Sequence, residues 1–153
     1  MRRFRRRTIW VGLVVFGLVA AALVFLLPRE VHEAPSGTWA LVSSEEVPET
    51  GKLPEGMLFA FEDGKFKSWT ENDKKKPQKA VFHADPKKEP KEIDLIFENG
   101  DRKWIVPGIY RMTKSRLVLC FGAAKGDAPL NVGTRPTEFK AGKDIELLTL
   151  DRK

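Results

Sequence analysis

Residues 9 to 27 form an uninterrupted apolar run of nineteen residues, IWVGLVVFGLVAAALVFLL, between the basic start MRRFRRR and the pair Pro28 and Arg29. At about 1.5 Å of rise per residue, such a run spans roughly 28 Å as a helix, close to the hydrocarbon thickness of a bilayer. The sequence therefore predicts a transmembrane signal-anchor helix over residues 8–28. The anchor leaves roughly 120 residues, which suits one further domain.

The charges that flank the run predict its orientation. Five arginines precede it and only Arg29 follows closely, so the positive-inside rule makes residues 1–7 a basic cytoplasmic N-terminus of a single-pass protein of the cell (inner) membrane. The remaining chain is then extracytoplasmic or periplasmic. The alternative is a signal peptide cleaved after Ala34, followed by secretion, although the apolar run exceeds the usual length of about 7–15 residues. Gly17 and Ala21, one helical turn apart, would suit a weak helix dimer, and a passive anchor is the alternative.

The net charge belongs to the anchor. The chain has 27 Lys+Arg against 21 Asp+Glu, and residues 1–29 contain six arginines and no acid, so residues 30–153 balance at 21 against 21. A nucleic-acid-binding domain is expected to be basic on its folded surface. The sequence therefore predicts no nucleic-acid partner. The lysines at 74–76 and at 87, 88 and 91 lie among prolines and acids and are interpreted as solvated loops.

Beyond a short juxtamembrane tether at residues 29–36, apolar residues recur with period two, which is typical of strands. Glu62-Asp63-Gly64-Lys65 predicts a hairpin turn. No amphipathic helix is indicated, and closure of many short strands removes exposed sheet edges. The sequence thus predicts an all-β, antiparallel up-and-down barrel of about eight or nine strands over residues 37–153. The predicted strands are Gly37–Ser43, Met57–Glu62, Lys65–Thr70, Gln78–Ala84, Glu92–Glu98, Arg102–Val106, Ile109–Thr113, Arg116–Phe121 and Ile145–Asp151.

An ordered set of short motifs resembles a known family. They are Ser36-Gly-Thr-Trp39, Asp85-Pro86 before Lys91-Glu-Ile-Asp-Leu95, Gly108-Ile-Tyr110, Leu117-Val-Leu-Cys-Phe121 and Arg135-Pro-Thr-Glu-Phe139. In this order they are similar to the small lipocalin-like domains common in planctomycete bacteria, whose function is uncharacterised. The resemblance covers roughly residues 34 to 152. It implies a compact lipocalin-like β-barrel and no particular biochemical activity.

Four residues are candidates for a binding or barrel-closing role: Trp39, Tyr110, Arg135 and Glu138. In lipocalin-type barrels the tryptophan of Gly-x-Trp plugs one end and a distant arginine lies across its indole, which makes Trp39 and Arg135 a candidate cation–π pair. The alternative is an ion pair between Arg135 and Glu138 on a surface loop. Tyr110 is interpreted as a core aromatic with a satisfied hydroxyl.

Other chemistry has little support in the sequence. Cys120, the single cysteine, lies in an apolar strand pattern and is interpreted as a small buried hydrophobe; a Cys120–His83 pair would rest on tertiary contact alone. The two histidines show no metal-binding spacing, and no nucleophile elbow, phosphate loop or dinucleotide motif occurs. We therefore predict no metal, no cofactor and no enzymatic activity.

Three hypotheses about function follow. The leading one is a membrane-tethered, extracytoplasmic, lipocalin-like binding or interaction module whose barrel mouth or surface recognises a small apolar ligand or an envelope protein. The second is a structural or assembly protein of the cell envelope with a filled barrel and no small ligand. The third is an enzyme with a site in the barrel mouth, for which Tyr110, Arg135 and Glu138 would be tested first.

Overall fold

The computed structural model describes residues 31–45, 53–124 and 129–153, with the side chain of Lys75 excepted. The predicted N-terminus 1–7, the predicted anchor 8–28 with Gly17 and Ala21, and the first two residues of the predicted tether lie outside these ranges. Within them, no helix is long and apolar enough to cross a membrane.

The described chain is built from strands, because its apolar residues alternate along each segment. Nine strands are present: β1 Gly37–Glu45, β2 Met57–Glu62, β3 Lys65–Thr70, β4 Asp73–Asp85, β5 Lys91–Asn99, β6 Arg102–Met112, β7 Arg116–Gly122, β8 Leu130–Val132 and β9 Ile145–Arg152.

Eight of these strands form a closed antiparallel barrel. Strands β1 to β7 pair in sequence order, β7 pairs with β9, and β9 pairs with β1, which completes the circle. The prediction of an all-β antiparallel barrel is confirmed. The ninth strand, β8, lies parallel to the first half of β6, and no sequence pattern predicted it.

The β2–β3 hairpin has the bounds that the sequence predicts. Asp63 and Gly64 form its two-residue loop, with φ of 49° and 72°. Positive φ at both central positions is the requirement of a type I′ turn, which matches the twist of the flanking strands. Local turn chemistry therefore sets the register of this hairpin.

The strand predictions for the regions of β4 and β6 are wrong. Arg102–Val106 and Ile109–Thr113 are parts of one strand, β6, which continues through Pro107. Pro107 is tolerated because it lies where β6 changes its neighbour on one side, from β8 at residues 103–105 to β7 at residues 108–112. Strand β4 begins at Asp73, five residues before the predicted start, and residues 74–77 bulge out of its ladder with β3.

The barrel has two distinct ends. The turns at residues 63–64, 86–90 and 113–115 lie at the end where β1 begins, and residues 31–36 pack there; we call this the closed end. The hairpin turn at 71–72 and the turn at 100–101 lie at the opposite, far end. Residues 31–36, the described part of the predicted tether, thus belong to the folded domain.

Candidate functional site

Aromatic side chains pack against one another in the barrel interior, mostly toward the closed end. Phe66 lies 5.2 Å from Phe61, 5.9 Å from Phe59 and 6.3 Å from Phe97, measured between ring centroids, and Phe61 meets Phe82 edge-on at 5.3 Å. Tilted and edge-to-face arrangements at these separations are favourable ring contacts. These rings therefore occupy the part of the interior toward the closed end. Toward the far end, the inward-facing Phe97, Val106 and Glu146 are only partly buried.

Trp39 lies fully buried at the closed end. Its Nε1 donates a hydrogen bond to the carbonyl of Ser36 at 3.0 Å, and the guanidinium carbon of Arg152 lies 4.7 Å from the centroid of its ring. The arginine over Trp39 is Arg152 and not the predicted Arg135. Arg152 takes that position because it lies directly opposite Trp39 in the β1–β9 ladder.

Tyr110 fastens the N-terminal segment to the same end. Its buried hydroxyl donates to the carbonyl of Glu33 at 3.0 Å, and the amide of Val31 donates to the carbonyl of Met112 at 2.7 Å. Burial, and then the charge of Asp85, raises the pKa of Tyr110 to about 12. The phenol stays protonated near neutral pH, so it acts as a structural donor.

Arg135 lies on the outer wall, away from Trp39. Its Nη1 donates to the carbonyl of Gly108 at 2.6 Å, its Nη2 donates to Oδ1 of Asp94 at 2.7 Å, and its Nε lies 3.7 Å from a carboxylate oxygen of Glu92. The expected Arg135–Glu138 ion pair is therefore replaced by ionic contacts with strand β5. These bonds hold residues 133–144, which we call the strap, against the outside of the barrel.

The strap covers a second, smaller apolar layer. Ile109 and Cys120 face outward opposite each other on β6 and β7, and both are completely buried. The thiol of Cys120 donates to the carbonyl of Glu138 at 3.5 Å, while the Glu138 side chain is exposed. Burial raises the pKa of Cys120. Its thiolate is disfavoured, which agrees with a packing role.

The four residues singled out from the sequence therefore do not form one site. Trp39 and Tyr110 close one end of the barrel, and Arg135 and Glu138 belong to the strap. Across the described ranges, no group of three or more His, Cys, Asp or Glu side chains is placed to hold a metal ion.

One carboxyl group faces into the barrel near its far end. Glu146 pairs in register with Phe121, whose ring belongs to the core, so both side chains point inward. Burial raises the pKa of Glu146. The sequence analysis did not single out Glu146, because its inward direction follows only from the register of β7 and β9.

A groove of about 390 Å³ lies on the outer wall over β2 and β3. It is lined by Leu58, Lys67, Trp69, Glu71, Lys74, Pro77 and Lys153, and we call it the Trp69 groove. Leu58 and Trp69 are cross-strand partners that point away from the core residues Phe59 and Phe66. The bulge at residues 74–77 forms one side of the groove, because its extra residues leave the β3–β4 ladder.

Comparisons with protein-family models, curated proteins and solved structures give no match.

The Trp69 groove was not predicted. The sequence contains two relevant signals: Trp69 and Phe66 have opposite parity on β3, and the Lys-Lys-Lys-Pro run follows closely. Parity separates the two faces of a strand but does not say which face is inside. The prediction of solvated loops for the two lysine clusters is wrong in part: Lys74 is exposed, but residues 74–76 belong to β4, and Lys91 is buried at the start of β5.

Proposed function

We propose that this chain is a membrane-anchored, extracytoplasmic, non-enzymatic binding module, lipocalin-like in form, that recognises its ligand or partner on the outer wall of the barrel. The observation that carries the proposal is the Trp69 groove, which is open to solvent on the outer wall, whereas packed phenylalanines occupy the interior toward the closed end. A small-molecule site commonly combines an apolar lining with a few polar groups, and the Trp69 groove has this composition.

The packed N-terminal segment supports a close attachment to the membrane. The predicted anchor ends at Pro28, and Val31 already contacts the barrel core. At a maximum of about 3.6 Å per residue, three residues reach about 11 Å. In the proposed arrangement, the closed end faces the bilayer at short distance and the far end faces the aqueous space.

A non-enzymatic role is supported by the state of the nucleophile and acid candidates. Cys120 and Tyr110 are buried, and burial raises the pKa of each away from neutral pH. A general acid or base works best with a pKa near the operating pH and within reach of its substrate. Neither residue meets these conditions.

Fractionation of cells that express the full chain tests the anchor and the orientation. We expect the full-length chain in the membrane fraction after alkaline carbonate washing, with its C-terminal domain accessible to protease only from the extracytoplasmic side. A shortened chain in the soluble extracytoplasmic fraction would establish the cleavage alternative. A protease-protected cytoplasmic domain would contradict the proposal.

The second candidate is a structural or assembly role in the cell envelope without a small ligand, which the packed phenylalanines in the interior also favour. Native mass spectrometry of the full chain, solubilised from its own host, separates the two. A reproducible adduct that is lost in a Trp69→Ala variant supports binding in the groove. A clean apo mass together with co-purifying envelope proteins supports the assembly role.

A further inference from the structure

We propose that the Trp69 groove binds an organic anion that places a flat apolar ring against Trp69 and a carboxylate or phosphate group against the lysines at the rim. The inference rests on the proposed function, since it specifies the ligand class of the groove named there.

The floor of the groove suits a ring. Trp69 is half-buried, so part of its indole remains open to solvent, and Leu58 beside it is only 5% exposed. Pro77 closes the floor on the side of the bulge. The indole and the proline offer rigid apolar surface at low entropic cost, and an indole favours a ring that stacks on its face.

The rim of the groove is positively charged. Three lysines line it, Lys67, Lys74 and Lys153, against one acid, Glu71. Lys153 forms an ion pair and a hydrogen bond with Glu71, and this contact lowers the pKa of Glu71. The acid of the groove is therefore neutralised by its neighbour, and the charges left facing the opening are those of Lys67 and Lys74, which are both exposed.

This local excess of positive charge contrasts with the balanced charge of the domain as a whole. Residues 30–153 contain equal numbers of acidic and basic residues, so the groove does not merely share a general positive charge. Two ammonium groups beside an apolar floor attract an anion and disfavour a cation of the same shape.

The position of the groove favours a soluble anion over a lipid headgroup. Trp69 lies next to the end of β3 and Glu71 lies in the turn that follows it, at the far end of the barrel. Lys153 reaches the groove from the end of β9 at the closed end, where residues 31–36 pack. The bulge at residues 74–77 follows the same hairpin turn. In the proposed orientation, Trp69, Glu71 and the bulge are the parts of the groove that lie farthest from the bilayer.

A pair of fluorescent probes that share one ring but differ in charge tests the proposal. The full chain is placed in nanodiscs of neutral phosphatidylcholine and titrated with dansylglycine, an anion, and with dansylcadaverine, a cation. We expect dansylglycine to bind at least about tenfold more tightly, a difference that charge complementarity readily supplies. Equal affinities, or tighter binding of the cation, would overturn the assignment of ligand charge.

Variants test whether dansylglycine binds in the Trp69 groove. We expect Trp69→Ala to weaken dansylglycine binding by about tenfold or more, because the stacking surface is removed. Lys67→Glu alters only an exposed side chain, so it tests the rim without risk to the fold, and we expect about threefold to tenfold weaker binding. The matched control is Lys114→Glu, an exposed lysine in the turn at the closed end. Equal losses in the Lys114 and Lys67 variants would overturn the site.

Two further measurements test the source of the anion and the membrane anchor independently of each other. We expect the affinity for dansylglycine to be unchanged when phosphatidylglycerol replaces part of the phosphatidylcholine; competition by this lipid would overturn the preference for a soluble anion. Cell fractionation judges the anchor independently of the titration. A membrane-bound chain that fails to distinguish the two probes contradicts the ligand class alone, whereas selective binding by a secreted chain contradicts the anchor alone.

Discussion

The guanidinium carbon of Arg152 lies 4.7 Å above the ring of Trp39, and the two residues are directly opposite each other where β9 and β1 pair. This contact joins the last strand of the barrel to the first at the closed end. The tryptophan is fully buried, whereas the arginine is exposed on its other side.

We expect Arg152→Ala to lower the free energy of unfolding by about 0.5–1 kcal/mol, the range of a cation–π contact at an exposed site. Denaturant unfolding measures the loss, and near-ultraviolet circular dichroism reports the change around Trp39. Arg152→Lys should recover part of the stability because it keeps a cation there. Arg135→Ala is the control: a change in the Trp39 signal in this variant would contradict the assignment of the partner.

The single tyrosine of the chain allows a direct titration. Tyrosinate absorbance at 295 nm reports Tyr110 alone, and we expect its midpoint at about 12 in the folded protein, against 10.0 in the unfolded chain. A folded-state midpoint near the unfolded value would show that the hydroxyl is open to solvent.

Removal of that hydroxyl tests how the N-terminal segment is held. Tyr110→Phe deletes the hydrogen bond to the carbonyl of Glu33, and we expect a loss of about 0.5–1.5 kcal/mol of unfolding free energy. Amide hydrogen exchange should accelerate at residues 31–36 and not in the β2–β3 hairpin. Uniform acceleration in both regions would indicate general destabilisation instead.

The strap is tested through the single cysteine. Arg135→Ala removes the bonds to Gly108 and Asp94 that hold the strap over Cys120, and we expect the native thiol to be alkylated about tenfold faster or more, because local opening becomes easier. Lys114→Ala is the matched control and should leave the rate unchanged. Unchanged reactivity in the Arg135 variant would mean that the strap is held by its apolar contacts alone.

The burial of Glu146 predicts how the free energy of unfolding of the domain changes with pH. Its folded-state pKa is raised by burial above the unfolded value of 4.5, so between the two values the folded state binds more protons, and the free energy of unfolding falls as pH rises through this window. We expect Glu146→Gln to be more stable than the parent near neutral pH and to match it below the unfolded pKa. Urea unfolding across this range measures the difference. The exposed Glu138→Gln is the control, and an equal gain in that variant would contradict the role of burial.

Sequence patterns predicted those parts of the fold that depend on nearby residues. The β2–β3 hairpin is an example, since alternation fixes its two faces and Asp63-Gly64 fixes its turn. Closure into a barrel followed from the number of short strands and the cost of exposed edges.

Partners that are distant in sequence were not predicted. Arg152 and Arg135 are both arginines near the C-terminal part of the chain, and only the β1–β9 register distinguishes which of them reaches Trp39. Likewise, β8 is three residues long and parallel to β6, so it shows neither a hairpin signal nor a periodic pattern. The Trp69 groove depends on a bulge and on a C-terminal lysine, which meet only in the folded domain.

The bonds at Val31 and Glu33 also constrain the order of events during maturation. Cleavage after Ala34 would sever the chain between these bonds and the buried Pro35, and a peptidase needs that stretch extended and free. If the domain folds first, the cleavage site is therefore protected. If cleavage comes first, the residues that form these bonds are removed before the domain folds. A chain that folds promptly after export keeps its N-terminal segment, whereas one cut before folding yields a barrel whose Tyr110 hydroxyl has lost its acceptor.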